Sequence, residues 1–174
     1  TYSSESDKIY WLATVKELKS VLEKFLNTEI TDEKMSAAIT ELNQGRLLMQ
    51  QLAVTMKHDP VPLSGQDLLK VLWARNFVFN REEFALQVKE LIGQLTDMIS
   101  RGEGAFPTGA KRIVVTGVPT GLGAEKVLKI IEDCGAAVVY IENCAGMKQY
   151  VDLVDTKQPP LAAIADKYLK TPCS

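Results

Sequence analysis

The sequence predicts an α/β fold in which an N-terminal helical region is followed by part of a parallel, Rossmann- or flavodoxin-like sheet. Three observations lead there. Apolar residues recur at steps of three and four through roughly the first hundred positions, the period of one helical face. The run Arg112-Ile113-Val114-Val115-Thr116-Gly117 is then β-branched, and a helix-length segment separates it from a second such run, Ala136 to Ile141. That strand–helix–strand spacing makes a βαβ unit with parallel strands. Between the two regimes lies Gly102-Glu103-Gly104-Ala105-Phe106-Pro107-Thr108-Gly109, whose glycines and proline mark a break. The expected organisation is a helical region over 1–102, a linker loop over 103–111 and a truncated βαβ domain over 112–174.

Each element has local reasons. Trp11, Val15, Leu18, Leu22 and Phe25 place a first helix from about Ser6, with Ser6 and Asp7 as start residues and Asn27-Thr28 as its end. Thr31 caps a second helix whose first turn is acidic, as the helix dipole favours. Its apolar stripe runs through Met35, Ala38, Ile39, Leu42, Met49, Leu52 and Met56 to the stop at Asp59-Pro60-Val61-Pro62. Ser64 opens a third helix, with Asp67 three residues on, and Leu68, Leu69, Leu72 and Trp73 form its apolar face. A fourth begins near Asn80 and carries Phe84, Val88, Leu91, Leu95 and Met98. After the first strand, buried on both faces by its composition, a helix is expected over Gly121 to Asp133. Another covers Leu161 to Leu169 behind Pro159-Pro160.

Composition narrows the function classes. Hydrophobic residues make up 46% of the chain, enough for a packed core, so disorder is excluded. Twenty Lys and Arg face 22 Asp and Glu, which leaves no basic excess for a nucleic-acid partner. No apolar run approaches the roughly 20 residues that cross a bilayer, and the first residues lack a signal-type apolar core. The expectation is a cytoplasmic protein with no membrane and no nucleic-acid partner. Three cysteines, Cys134, Cys144 and Cys173, and one histidine, His58, are too few and too scattered for a disulfide framework or a zinc site. The chain opens at Thr1 and closes on Thr171-Pro172-Cys173-Ser174, and both ends read as boundaries inside a longer protein.

One loop suggests chemistry. Thr116-Gly117-Val118-Pro119-Thr120-Gly121-Leu122-Gly123 lies between strand and helix, where unpaired amides and the helix dipole favour an anion. Gly117, Thr120, Gly121 and Gly123 are the candidate anion-loop residues. The spacing also resembles the cofactor loop of short-chain dehydrogenases, with Glu142 at the end of the second strand as a ribose partner. Against that stand the long helical region before the loop and the lack of a Tyr-x-x-x-Lys. Tyr168 and Lys170 are two apart, and Tyr140 and Tyr150 have no lysine at the needed offset. A tight turn in which glycine serves only backbone geometry is the plainer reading.

A wider pattern covers the chain from about Tyr10 onward. It consists, in order, of Asn43-Gln44-Gly45-Arg46, Arg112-Ile113-Val114-Val115-Thr116-Gly117-Val118-Pro119, Gly135-Ala136-Ala137-Val138-Val139, Glu142-Asn143-Cys144 and Tyr168-Leu169-Lys170-Thr171-Pro172-Cys173. In this order the motifs resemble the 2-hydroxyacyl-CoA dehydratase and benzoyl-CoA reductase family, and their details look closest to its double-cubane-cluster branch. The resemblance implies an interior piece of an iron–sulfur subunit in which cysteine thiolates hold the cluster. It also implies a CoA-thioester substrate, a partner subunit of the same family (the same or a different chain), and an ATP-dependent activator that delivers one electron. Most cluster cysteines would lie outside this chain, so the piece alone is expected to be inactive and to carry no cluster. Cys144 and Cys173 are candidate metal ligands, to be weighed against structural cysteines at a strand or helix edge. Two other readings stay open: a nicotinamide-dependent oxidoreductase of short-chain type, and a non-catalytic interaction domain.

Five residues have expected roles of their own. Arg46 lies beside an apolar stripe, where it could brace the helix or face a CoA phosphate. His58 reads as an exposed helix end. Trp73, Phe77 and Phe79 read as core packing.

Overall fold

The computed structural model describes residues 4–171. These form α1 (Glu5–Leu26), α2 (Asp32–Thr55), α3 (Gly65–Arg75), α4 (Arg81–Ser100), β1 (Arg112–Thr116), α5 (Lys126–Asp133), β2 (Ala137–Glu142), a short 3-10 helix (Met147–Tyr150) and α6 (Pro160–Lys170). The α/β class with N-terminal helices is the observed one. None of the described helices is long and apolar enough to cross a membrane. The chain packs as two compact units, residues 4–46 with 152–171 and residues 47–151, the boundary falling inside α2.

In the first unit α1 lies against α6. The start of α1 is Ser4, two residues before the expected Ser6. Its hydroxyl accepts from the Asp7 amide while the Asp7 carboxylate accepts from the Ser4 amide, so Asp7 closes a capping box instead of starting the helix. Small residues on α6, Ala163 and Ala165, are buried and let α1 approach. The Trp11 indole N–H reaches the Ala165 carbonyl at 2.9 Å. Along α1 the covered line runs Trp11, Val15, Lys19, Glu23, a step of four. Leu18, Leu22 and Phe25, expected on the same face as Trp11, stay exposed, Phe25 at 81%. Polar chemistry explains the choice: Glu23 takes the Lys19 ammonium at 2.9 Å and the Ile30 amide at 2.8 Å, closing the end of the helix. A small apolar cluster of Ile39, Val154 and Ala163 completes the unit. Beside it the Asn43 amide donates to the Val154 carbonyl at 2.8 Å and accepts from the Val154 N–H at 3.0 Å.

In the second unit Met49, Leu52 and Met56 of α2, Leu68, Leu69 and Leu72 of α3, and Leu128, Val138 and Ile141 of the βαβ part share one core, joined by Val88 and Leu95 of α4. Gly65 touches the sheet so closely that a Cβ would sit 2.4 Å from that of Val138. Its amide donates to the Glu132 carboxylate at 2.6 Å, an acid from α5 placed at the positive start of α3. The strands are parallel, Thr116 opposite Glu142, with an irregularity between Ile113 and Val114.

The structure corrects three further expectations. β1 is not buried on both faces: its residues alternate exposed and half-covered, and Val114 is 58% exposed. Among the described residues β2 is its only strand neighbour, and α3 covers β2 instead. The helix expected from Gly121 begins at Lys126, because Gly123 adopts φ +92°, outside the helical region. Of the aromatic run, Trp73 is half-buried with Phe77 tilted against it at 5.3 Å, but Phe77 and Phe79 lie outside the core. His58 is exposed as expected, three residues beyond the end of α2. There the Arg112 guanidinium takes the carbonyls of Met56 and His58.

Candidate functional site

In open parallel sheets the loops after the strand ends gather binding groups, because every βα connection leaves the sheet on that side. Here those are the loops after Thr116 and Glu142, both within the second unit. Register places Thr116 and Glu142 side by side, and the Thr116 hydroxyl donates to one Glu142 oxygen at 2.5 Å. The other oxygen accepts the Lys148 ammonium at 3.0 Å. Lys148 projects from the 3-10 helix with its side chain 7% exposed, against 34% for Glu142. The Thr116 hydroxyl first, then Lys148, hold the Glu142 carboxyl below its ordinary range. At neutral pH the Glu142 carboxyl is therefore ionised.

Asn143, wholly buried, ties the two loops together. Its amide donates to the Val118 carbonyl at 3.2 Å, and its carbonyl oxygen accepts from the Ala145 N–H at 3.1 Å. Gly146 then makes the turn close, its amide donating to the Asn143 carbonyl at 3.0 Å. A Cβ there would lie 2.3 Å from the Ile141 carbonyl oxygen. This rigid corner presents Cys144 as an exposed thiol.

The glycine-rich loop faces the same end of the sheet. Gly117 turns out of β1 with φ +110°. Thr120 is half-buried. Gly121 lies on the Trp73 ring, where a Cβ would meet an indole carbon at 2.4 Å. The Gly123 amide donates to the Glu125 carboxylate at 2.5 Å, so a side chain of the loop already occupies that donor. Each Glu142 oxygen likewise already accepts one contact within the chain.

The described residues do not assemble a metal centre: no group of three or more His, Cys, Asp and Glu side chains converges among them. Cys134, at the end of α5, and Cys144 stand at opposite ends of β2. Cys173 lies outside the described residues. An iron–sulfur cluster needs several thiolates, and these residues offer Cys144 alone at the strand ends. Sequence reasoning reached the loop, Glu142 and Cys144 but missed Lys148 and the bridging role of Asn143. Nothing in the local pattern marks a lysine of a one-turn helix as buried.

Acid should loosen this corner. A carboxyl with a depressed folded value contributes stability above the ordinary value of 4.5, and that contribution is lost as pH falls through the folded value. Glu142→Gln is therefore expected to flatten the loss of thermal stability between about pH 5 and pH 2 relative to the unsubstituted chain. An equally steep loss in the variant would show that the pair adds nothing.

Comparison with known proteins matches the chain to a family. The family model for the 2-hydroxyglutaryl-CoA dehydratase D-component matches residues 1–174. The chain is 31% identical over 170 residues to the putative dehydratase subunit YjiM of Escherichia coli K12, covering 98% of this chain and 44% of that protein. Against the (R)-phenyllactyl-CoA dehydratase beta subunit of Clostridium sporogenes it is 26% identical, with 88% of this chain and 39% of that one aligned. Against the lactoyl-CoA dehydratase beta subunit of Anaerotignum propionicum it is 27% identical, at 89% and 40% coverage. The chain thus spans less than half the length of the curated relatives it matches. With the family model matched from its first residue to its last, the chain belongs to the 2-hydroxyglutaryl-CoA dehydratase D-component family.

Proposed function

We propose that the chain is the helical and α/β middle of an iron–sulfur dehydratase or reductase subunit acting on a CoA thioester, and that it turns nothing over by itself. The observation that carries this reading is the family match across all 174 residues. The names of the relatives support it, two of them CoA-ester dehydratase subunits. The word subunit in those names also supports a partner chain of the same family. In this reading the cluster supplies a low-potential electron, which an ATP-dependent activator delivers to it.

The chain's own residues would do the enclosing. Asn143 and Gly146 keep the loop corner rigid, the Glu142–Lys148 pair keeps its charge balanced, and the glycine loop lets a ligand approach the backbone at Gly117. Cys144 is the candidate thiolate that this corner would contribute, with Cys173 a second candidate. We propose the helical region over 1–102 and the βαβ part over 112–174 as the two domains of this piece.

The test is iron and acid-labile sulfide, measured on the complete protein purified without oxygen. About four or more irons per chain, the content of one cubane cluster, is the expected result. Iron near zero after reconstitution would overturn the reading.

A further inference from the structure

Within residues 47–151 a cavity of about 400 Å³ lies where the last turns of α2 meet β2 and the 3-10 helix. Its walls are apolar: Val54 and Met56 at the end of α2, Val139 of β2, and Met147 and Val151 at the two ends of the 3-10 segment. Val54 and Val151 are 51% and 55% exposed, so part of this apolar surface is open to solvent. The size falls in the range of about 300–1,000 Å³ in which pockets hold small molecules. Thr116, Glu142 and Lys148 do not line it, so it is separate from the corner at the strand ends.

The charged groups around the cavity have one sign. Arg112 and Lys57 line it, and no Asp or Glu does. The Arg112 guanidinium donates to the Met56 carbonyl at 2.6 Å and to the His58 carbonyl at 3.0 Å. Those carbonyls flank Lys57, so the two cationic residues share one end of the cavity. A guanidinium carries five N–H donors, and three of them remain after these two bonds. Among the described residues neither Arg112 nor Lys57 is paired with an acid. Tyr140 adds a half-buried phenol to the lining. Burial, and after it the Glu142 charge, push that phenol above its ordinary value, so it stays a hydroxyl at neutral pH.

We propose that this cavity binds a small monocarboxylate with an apolar body, its chain against the valine and methionine walls and its carboxylate at Arg112 and Lys57. Two features select that class. The apolar walls gain by exchanging water for hydrocarbon. The fork of arginine suits a carboxylate, lysine adds a point charge, and a cationic head would meet two like charges. The site is separate from the strand-end corner, so the proposal stands apart from the dehydratase reading and needs no cluster.

The experiment is a titration of the whole 174-residue chain with octanoate at constant ionic strength, read from backbone amide NMR shifts. Saturable one-to-one binding is expected, with the largest shifts around Lys57, Arg112 and Val139. Octylammonium and acetate should each bind at least about tenfold more weakly, the first for its charge and the second for its missing body. Ala53 lines the cavity and is half-buried, so the ring of Ala53→Phe should fill the space and abolish binding. Lys57 is exposed, so Lys57→Gln should fold normally and weaken octanoate at least about threefold. That second variant decides the matter if Ala53→Phe does not fold. Absence of saturable binding overturns the proposal, as do shifts confined to other parts of the chain or full binding by a folded Ala53→Phe. Octylammonium or acetate binding as tightly as octanoate, or octanoate binding unchanged in Lys57→Gln, would overturn the assignment of the ligand.

Discussion

Asn43→Leu is expected to destabilise the chain by about 3 kcal/mol. The Asn43 side chain is buried and serves both polar groups of Val154, 111 residues away in sequence. Leucine neither donates nor accepts, so the Val154 carbonyl and N–H both lose their partner. Each buried backbone group left unsatisfied costs about 1–3 kcal/mol. The Arg46 guanidinium loses its acceptor on Asn43 as well. Urea unfolding measures the loss. A variant as stable as the original would show that the clamp is dispensable.

Gly146→Ala is expected to cost about 3 kcal/mol, for steric reasons alone. The added methyl would lie 2.3 Å from the Ile141 carbonyl oxygen and 3.1 Å from the Asn143 side-chain oxygen, and the first is backbone inside a buried strand. Neither neighbour can swing away, so the corner after β2 must shift, at the upper end of the 1–3 kcal/mol typical of overpacking. Gly93→Ala makes the control. It lies inside α4 with nothing near its Cβ position, and alanine there should stabilise by about 0.5–1 kcal/mol. Equal effects from the two substitutions would mean that crowding at Gly146 is relieved at no cost.

Much of the secondary structure was legible beforehand, since it depends on neighbours within one turn. Thr31, Ser64 and Asn80 accept from the amides of the first turns of α2, α3 and α4, as their residue types and positions suggested. The two strands fall within a residue of their expected limits. The candidate site was legible in part. Glycines announce a turn and a β-branched run announces the strand before it, so the loop and its neighbours Glu142 and Cys144 could be picked out. Their relations could not: the sharing of Glu142 between Thr116 and Lys148 depends on strand register and on how a one-turn helix folds back.

The sequence by itself determined the α/β class, the helix caps and breaks, and membership of the dehydratase family through motifs kept in order. The tertiary structure alone decided which faces and charges are covered. Trp11 meets α6 across 154 residues, while Leu18 and Phe25 of the same helix stay in solvent. Lys167 and Lys148 are both buried, Lys148 beside the Glu142 carboxylate and Lys167 with its ammonium over the Tyr168 ring. The physical reason is range. Caps and periodicity act through hydrogen bonds and rotamers within a few residues, whereas burial and charge pairing are set by whichever distant segment packs alongside.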